Sequence, residues 1–311
     1  MNVLAAIENL KSTLANTPKF RKGVLRRIDE QNAILRSGLQ TAEQQLEVNR
    51  QILRVVNAQQ AALENIRLAS MLPLREEIAS LIGTRQLGLL ETVERIRDQR
   101  LSFARFGDGE LRLMFRPEFD IKFQKNSARL TAELQEVLST PSQNLLLGMP
   151  HIFGNAHWSG VFAELWHFIA PALPAVDSFG DSHVTRPLFF SFHGHEGVDA
   201  WRSVWAGREA AVLAGQGSRF ELIPQLFDTL AGFETIESLP AHAFADIDRV
   251  VEKTLETGKD LALIALGPAG TIVANRLNVH GIQAIDIGHI AASYRNVFRG
   301  ELFPEEQPIS S

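Results

Sequence analysis

The chain has no cysteine among its 311 residues. That excludes disulfides, thiolate nucleophiles and cysteine-held zinc, and it fits a reducing compartment. A basic surplus is also missing. The 31 Lys and Arg stand against 36 Asp and Glu, a net charge of −5, whereas a general nucleic-acid binder carries excess positive charge. No apolar run reaches the roughly 18 residues that a membrane span needs. The opening stretch MNVLAAIENLKSTLANTPKF has an acid and a lysine within its apolar part and no clear cleavage site, so it does not read as a signal peptide. The expected location is the cytoplasm. Internal repeats and low-complexity tracts are absent too.

Residues 25–70 lack proline and hold a single glycine, Gly38. They are rich instead in Gln, Glu, Arg, Ala and Leu, and a heptad fits them. One seam position holds Ile28, Leu35, Ala42, Asn49, Val56 and Leu63; the other holds Asn32, Leu39, Leu46, Leu53, Gln60 and Arg67. Eight of these twelve are apolar, which predicts a coiled coil rather than a lone surface helix. Such a helix has little else to bury its stripe against, so a homo-oligomer formed through the N-terminal helices is expected. Pro73 is expected to end or offset this helix, with a second helical stretch over 74–98.

Beyond residue 100 short apolar runs alternate with amphipathic stretches, the signature of an α/β fold. NLLLGMP (144–150), AAVLAG (210–215), DLALIALG (260–267) and GIQAIDIG (281–288) read as strands; 244–256 and 271–280 read as helices. The tail over 304–311 reads as loose.

The most informative stretch is LSFARFGDGELRLMF, residues 101–115. It reads as a strand running into a tight turn, with positive φ available at Gly107 and Gly109. Asp108 and Glu110, two residues apart, would face one small volume from such a turn. Two hard oxygen donors there suit a divalent metal, and Arg105 beside them suits a phosphate. Further on, strand 260–266 leads into Gly267, Pro268, Ala269 and Gly270 and then a helix, whose amino-terminal amides would meet an anion. Asp286, near the end of the next strand, lies where a nucleotide-binding acid contacts a ribose. SFGDSHVTRP (178–187) gathers Asp181, His183 and Arg186, and GQGSR (215–219) places Arg219 on a loop after a strand. His289 closes a strand on the same edge and is a candidate ligand or base. His151, His157 and His167 share no metal-type spacing and read as core or loop residues.

Taken in order, these segments resemble the glycosyltransferases of the GT-D fold. The resemblance runs from about residue 75 to 298. It is carried by RFGDGE (105–110), Phe123-Gln124, GMPHIFG (148–154), the Asp181 to Pro187 segment, the loop ending in Arg219, LFD (226–228), ALGPAGTIVA (265–274) and AIDIGHI (284–290). The chain departs from the family at Ile290, Ala291 and Ala292, where a further acid is common, and in the loop after Arg219. The resemblance implies a Rossmann-like, mostly parallel sheet flanked by helices. It also implies a hexosyltransferase-type enzyme that takes a nucleotide-sugar, usually a UDP-sugar, with Mn²⁺ or Mg²⁺ held through an Asp-x-Glu motif matched by Asp108 and Glu110. The acceptor would be a hydroxyl of a glycan or glycoprotein.

The expected organisation is therefore an N-terminal helical, coiled-coil region over 1–72 and a catalytic α/β domain over 73–311. Arg105, Arg186 and Arg219 would face the diphosphate together with Gly107 and the Gly267-Pro268 turn, and Asp286 would sit near the ribose. Glu110, Asp181 and His289 are the candidate bases. Two rival readings stay open at this point: another Rossmann-type transferase, such as a methyltransferase using S-adenosylmethionine, and a non-catalytic coiled-coil scaffold.

Overall fold

The computed structural model describes Asn9, Ser12, residues 18–151 and residues 156–307. Most of the opening stretch weighed as a signal peptide, residues 152–154 of the GMPHIFG motif and residues 308–311 of the tail lie outside the described residues. The chain divides into two units, Met1–Ser70 and Met71–Ser311.

In the first unit the heptad region is helical throughout, within helix α1, Pro18–Ile78. Its seam side chains are exposed: Ile28 at 46% and Leu63 at 67% bracket the large apolar ones. Of the two outcomes expected at Pro73, an end of the helix does not occur: the helix runs through it to Ile78. Proline removes a single amide donor from the ladder, and Met71 and Ile78 on either side of it are buried, so packing holds the turn that the missing bond would loosen.

The second helical stretch is broken where 74–98 was expected to be continuous. A π-helical turn occupies Ala79–Gly83, and α2 begins afresh at Leu89–Asp98.

The second unit holds a seven-stranded sheet in the order β3-β2-β1-β7-β6-β4-β5. Its strands are β1 Ser102–Arg105, β2 Leu145–Met149, β3 Gly180–Asp181, β4 Glu209–Gly215, β5 Gly232–Ser238, β6 Leu261–Ala265 and β7 Gln283–Asp286. Every pairing is parallel. A parallel sheet needs a crossover between strands, and helices supply it on both faces. They are α3 Asp108–Phe115, α4 Ala128–Ser139, α5 Ala156–Ala172, α6 Pro187–Trp205, α7 Pro224–Phe227, α8 Ile247–Glu256, α9 Pro268–Val279 and α10 Ile290–Arg299.

Period-two alternation splits each strand between two cores. Leu145, Leu147 and Met149 of β2 pack with α3, α4 and α5, while Leu146 packs with α2 and α6. In β6, Ala262 and Ile264 face α8 and α9, and Leu261 and Leu263 face Trp201 and Trp205 of α6. Burial on both faces is why these strands read as continuous apolar runs. In α8, Ile247, Val250, Val251 and Thr254 are buried at helical spacing. Among the described residues no helix is long and apolar enough to cross a membrane.

Candidate functional site

All strands point their carboxyl ends the same way, and the β1–β7 pair joins the β3-β2-β1 half of the sheet to the β7-β6-β4-β5 half. In open α/β sheets ligands bind in the crevice outside those ends. A cavity of about 970 Å³ lies there. Its wall includes Arg105, Gly107, Asp108 and Glu110 after β1, and His183 and Arg186 after β3. Arg219 joins it after β4, Gly267 and Pro268 after β6, and His289 after β7. Asp181 and Asp286 do not line it; they are 0% and 1% exposed and sit beneath its floor.

The GDGE segment is not the turn the sequence suggested. Helix α3 starts at Asp108, with only Phe106 and Gly107 between it and β1, and neither Gly107 nor Gly109 has positive φ. Asp108 and Glu110 are its first and third helical residues, about 200° apart around the axis, so the two-residue rule does not bring their carboxylates together. They line one cavity because Glu110 turns back: its Oε2 accepts the Gly107 amide at 2.9 Å, the glutamate half of a capping box, with no return bond because glycine has no side chain. Burial pushes Glu110 up to about 7, against the pull of Arg105. Asp108 Oδ2 lies 3.3 Å from Arg112 and 3.6 Å from His157.

Arg105 extends from the end of β1 toward the Ser182 carbonyl at 3.3 Å and Asp286 Oδ1 at 3.5 Å. Gly288 makes room for it: at φ +44° a Cβ there would collide with the guanidinium. Burial raises Asp286, with Arg105 opposing. Gly267, at φ +56°, starts α9 and packs so close to Phe123 that a Cβ would come within 2.8 Å of the ring. Gly267 and Pro268 thus bring the start of α9 to the cavity wall.

Arg186 is pushed down to about 10 by burial and by Arg105, with Asp108 and Glu110 opposing. It pairs with Glu305, and Arg219 donates to the carbonyls of Pro304 at 3.1 Å and Gln307 at 2.7 Å. The segment expected to be loose is thus held against the cavity as far as residue 307. His289 is lowered to about 3 by burial and then by Arg186, Arg105 and Arg219, so it is a neutral imidazole near pH 7.

The sequence placed His183 in a polar cluster without giving it a role, and His151 read as a core or loop residue. Asp181 Oδ2 is 2.6 Å from His151 Nδ1, and Asp181 Oδ1 is 3.0 Å from His183 Nδ1 while also accepting the His183 amide at 2.8 Å. Burial alone would raise Asp181, but these bonds lower it to about 2. Trp158 stands edge-on to the His183 ring at 5.3 Å. The usable signal was Asp181 two residues before His183. His151 arrives from β2, 30 residues earlier, through a contact no spacing announces.

The cavity joins fixed positive charge, a helix amino terminus and two carboxylates at the carboxyl edge of a parallel sheet. That combination suits an anionic ligand. The profile of the glycosyltransferase GT-D fold family matches residues 103–302, and the chain belongs to this family. Its curated relatives include the glycosyltransferase GlyD of Streptococcus pneumoniae serotype 4, 25% identical over 67% of this chain. Another is the probable glycosyl transferase Gly of Streptococcus gordonii, 23% identical over 68%. The chain spans 27% and 33% of their lengths. Among solved structures, a domain of unknown function 1792 described as having a distinct glycosyltransferase fold superposes with a TM-score of 0.67. That pair is 26% identical over 76% of this chain and 87% of the other. A Streptococcus sanguinis glycosyltransferase of the same domain type superposes at 0.61, with 23% identity over 70% and 85%, and shares the fold.

Proposed function

We propose that this protein is a glycosyltransferase that moves a sugar from a nucleotide-sugar, of the UDP type, to a hydroxyl of a glycan or glycoprotein. The observation that carries the reading is the convergence of Arg105, Arg186 and Arg219 with the α9 amino terminus on one cavity. A diphosphate needs that environment both to bind and to leave. A methyl donor would need no such charge, which sets the methyltransferase reading behind this one.

The residues present fit a divalent ion. Among the described residues no group of three or more His, Cys, Asp or Glu converges as a metal cage, but Asp108 and Glu110 offer hard oxygen donors on the cavity wall. Mg²⁺-type sites commonly take one or two carboxylates and complete the shell with phosphate oxygens and water. Asp108 and Glu110 would hold Mn²⁺ or Mg²⁺. When bound, the ion neutralises charge on the departing diphosphate. Arg105, Arg186 and Arg219 would hold the diphosphate oxygens, with the positive end of the α9 dipole beside them.

His183 takes the proton of the acceptor hydroxyl, and Asp181 holds its Nδ1–H so that the basic lone pair lies on Nε2. His289, held neutral by burial and then by three arginines, serves as a hydrogen-bonding wall. The N-terminal helix serves self-association.

Thermal unfolding with UDP, UDP-sugars and S-adenosylmethionine, each with and without Mn²⁺, tests the reading, because a ligand of the folded state raises the melting temperature by mass action. A metal-dependent shift with UDP or one UDP-sugar supports it. A shift with S-adenosylmethionine alone replaces it with the methyltransferase, and no shift with any of them favours the scaffold.

A further inference from the structure

We infer that helix α1 pairs with the same helix of a second copy, antiparallel, with the two-fold axis between Gln40 and Thr41. The inference is independent of the catalytic reading and rests on the order of residues along the exposed seam. From Leu25 to Val56 the seam reads Leu, Ile, Asn, Leu, Leu, Ala, Leu, Asn, Leu, Val. Its polar and apolar positions have the same order in either direction.

Laid antiparallel about that axis, Ile28 meets Leu53 of the second copy and Leu35 meets Leu46. Leu39 meets Ala42, and Asn32 meets Asn49. Each layer then joins one residue from each of the two seam positions, as antiparallel coiled coils require, and no asparagine faces a hydrophobic side chain. A surface that matches itself under a two-fold rotation calls for a second copy as its partner.

The flanking charges select the direction. In the antiparallel register Asp29 falls beside Arg50 of the second copy, and Arg36 beside Glu43. Each pair occurs twice, and each joins opposite charges. Asp29, Arg36 and Glu43 make no ion pair within their own chain among the described residues. A parallel, in-register pair would instead set Gln31 beside Arg36, Gly38 beside Glu43 and Gln45 beside Arg50, with no charge pairs. It would also bring the basic run Lys19, Arg21, Lys22, Arg26 and Arg27 against itself. The antiparallel register places that run against residues 54–62, whose one charge is Arg54. Flanking charges of this kind set orientation and partner choice in coiled coils.

The absence of cysteine makes the test direct. Three full-length variants, Asn32→Cys, Asn49→Cys and the double, are treated with a short bismaleimide and run on denaturing gels, and the untreated proteins are sedimented. Positions 32 and 49 of one chain lie about 26 Å apart along the helix, so no cross-link forms within a chain. The expected result is a dimer mass for all three and rapid covalent dimer for the double variant only. Cross-linking of either single variant overturns the direction, and a monomer mass overturns the pairing.

A second measurement covers the case in which the cysteines disturb the seam. Arg36→Glu weakens dimerisation by roughly tenfold, since it sets like charges together twice, and adding Glu43→Arg restores it. A double variant no better than the single overturns the proposed register.

Discussion

Arg105, at the end of β1, and Asp286, at the end of the neighbouring β7, form an ion pair 3.5 Å long whose carboxylate is 1% exposed. The pair joins the two halves of the sheet at the cavity floor. Removing one member strands a buried charge, which is more damaging than losing both. Asp286→Ala therefore lowers stability by about 3–5 kcal/mol. The double variant with Arg105→Met loses less than the sum of the singles. Urea unfolding of the four proteins measures the coupling, and strict additivity would refute it.

Glu110 titrates near neutrality, at about 7 against an ordinary 4.5. Between those values the folded state holds a proton the unfolded state has lost. Stability attributable to this group therefore falls as pH rises from 4.5 to 7 and is flat above. Glu110→Gln keeps the acceptor for the Gly107 amide and removes the titration. It is expected to be more stable than the native protein above pH 7, by up to about 3 kcal/mol, and equal to it below pH 4.5. Unfolding curves taken from pH 4 to 8 decide this; parallel pH profiles for the two proteins would contradict it.

The paired histidines give Asp181 a role in orientation. Asp181→Asn keeps the size of the side chain but no longer fixes the tautomer of His183 or supports its protonated form. Turnover falls by about 10²–10⁴-fold with little change in KM for the donor. Full turnover in a folded Asp181→Asn protein would remove His183 from the mechanism.

Asp108→Asn and chelation should act alike if the carboxylates of α3 hold a divalent ion. Each lowers transfer by about 10²-fold or more, and chelation has no further effect on the variant. Additional loss on chelating Asp108→Asn would place the ion elsewhere.

Glu305 occupies Arg186 before any diphosphate arrives. Its side chain is 59% exposed, so the pair is weak and competes modestly. Glu305→Gln tightens UDP binding by about two- to fivefold, read by calorimetry. Unchanged affinity would mean that the pair persists in the complex.

Strands such as 260–267 were legible because burial on both faces writes an unbroken apolar run. β3 and β5 were not. Gly180 and Asp181 make a strand too short to carry a period, and GFETIES lies on the sheet edge with Phe233 and its neighbours exposed. The carboxyl-edge residues were legible because glycines and charged side chains follow each apolar run. The helical start of α3 was hidden, since a Gly-Asp-Gly turn and a Gly107 helix start are written with the same letters. The contacts of Asp181 with His151 and of Arg186 with Glu305 join distant segments, and only the fold brings them together.

The placement of the tryptophans equips the molecule with its own optical probe. Trp166, Trp201 and Trp205 are at most 4% exposed, so their emission reports the packed layers and should be insensitive to small ligands. Trp158 alone of the four lines the cavity, edge-on to His183. A nucleotide entering the cavity changes the surroundings of one indole while the other three hold their signal constant. Occupancy can then be followed by unlabelled fluorescence, and Trp158→Phe supplies the blank.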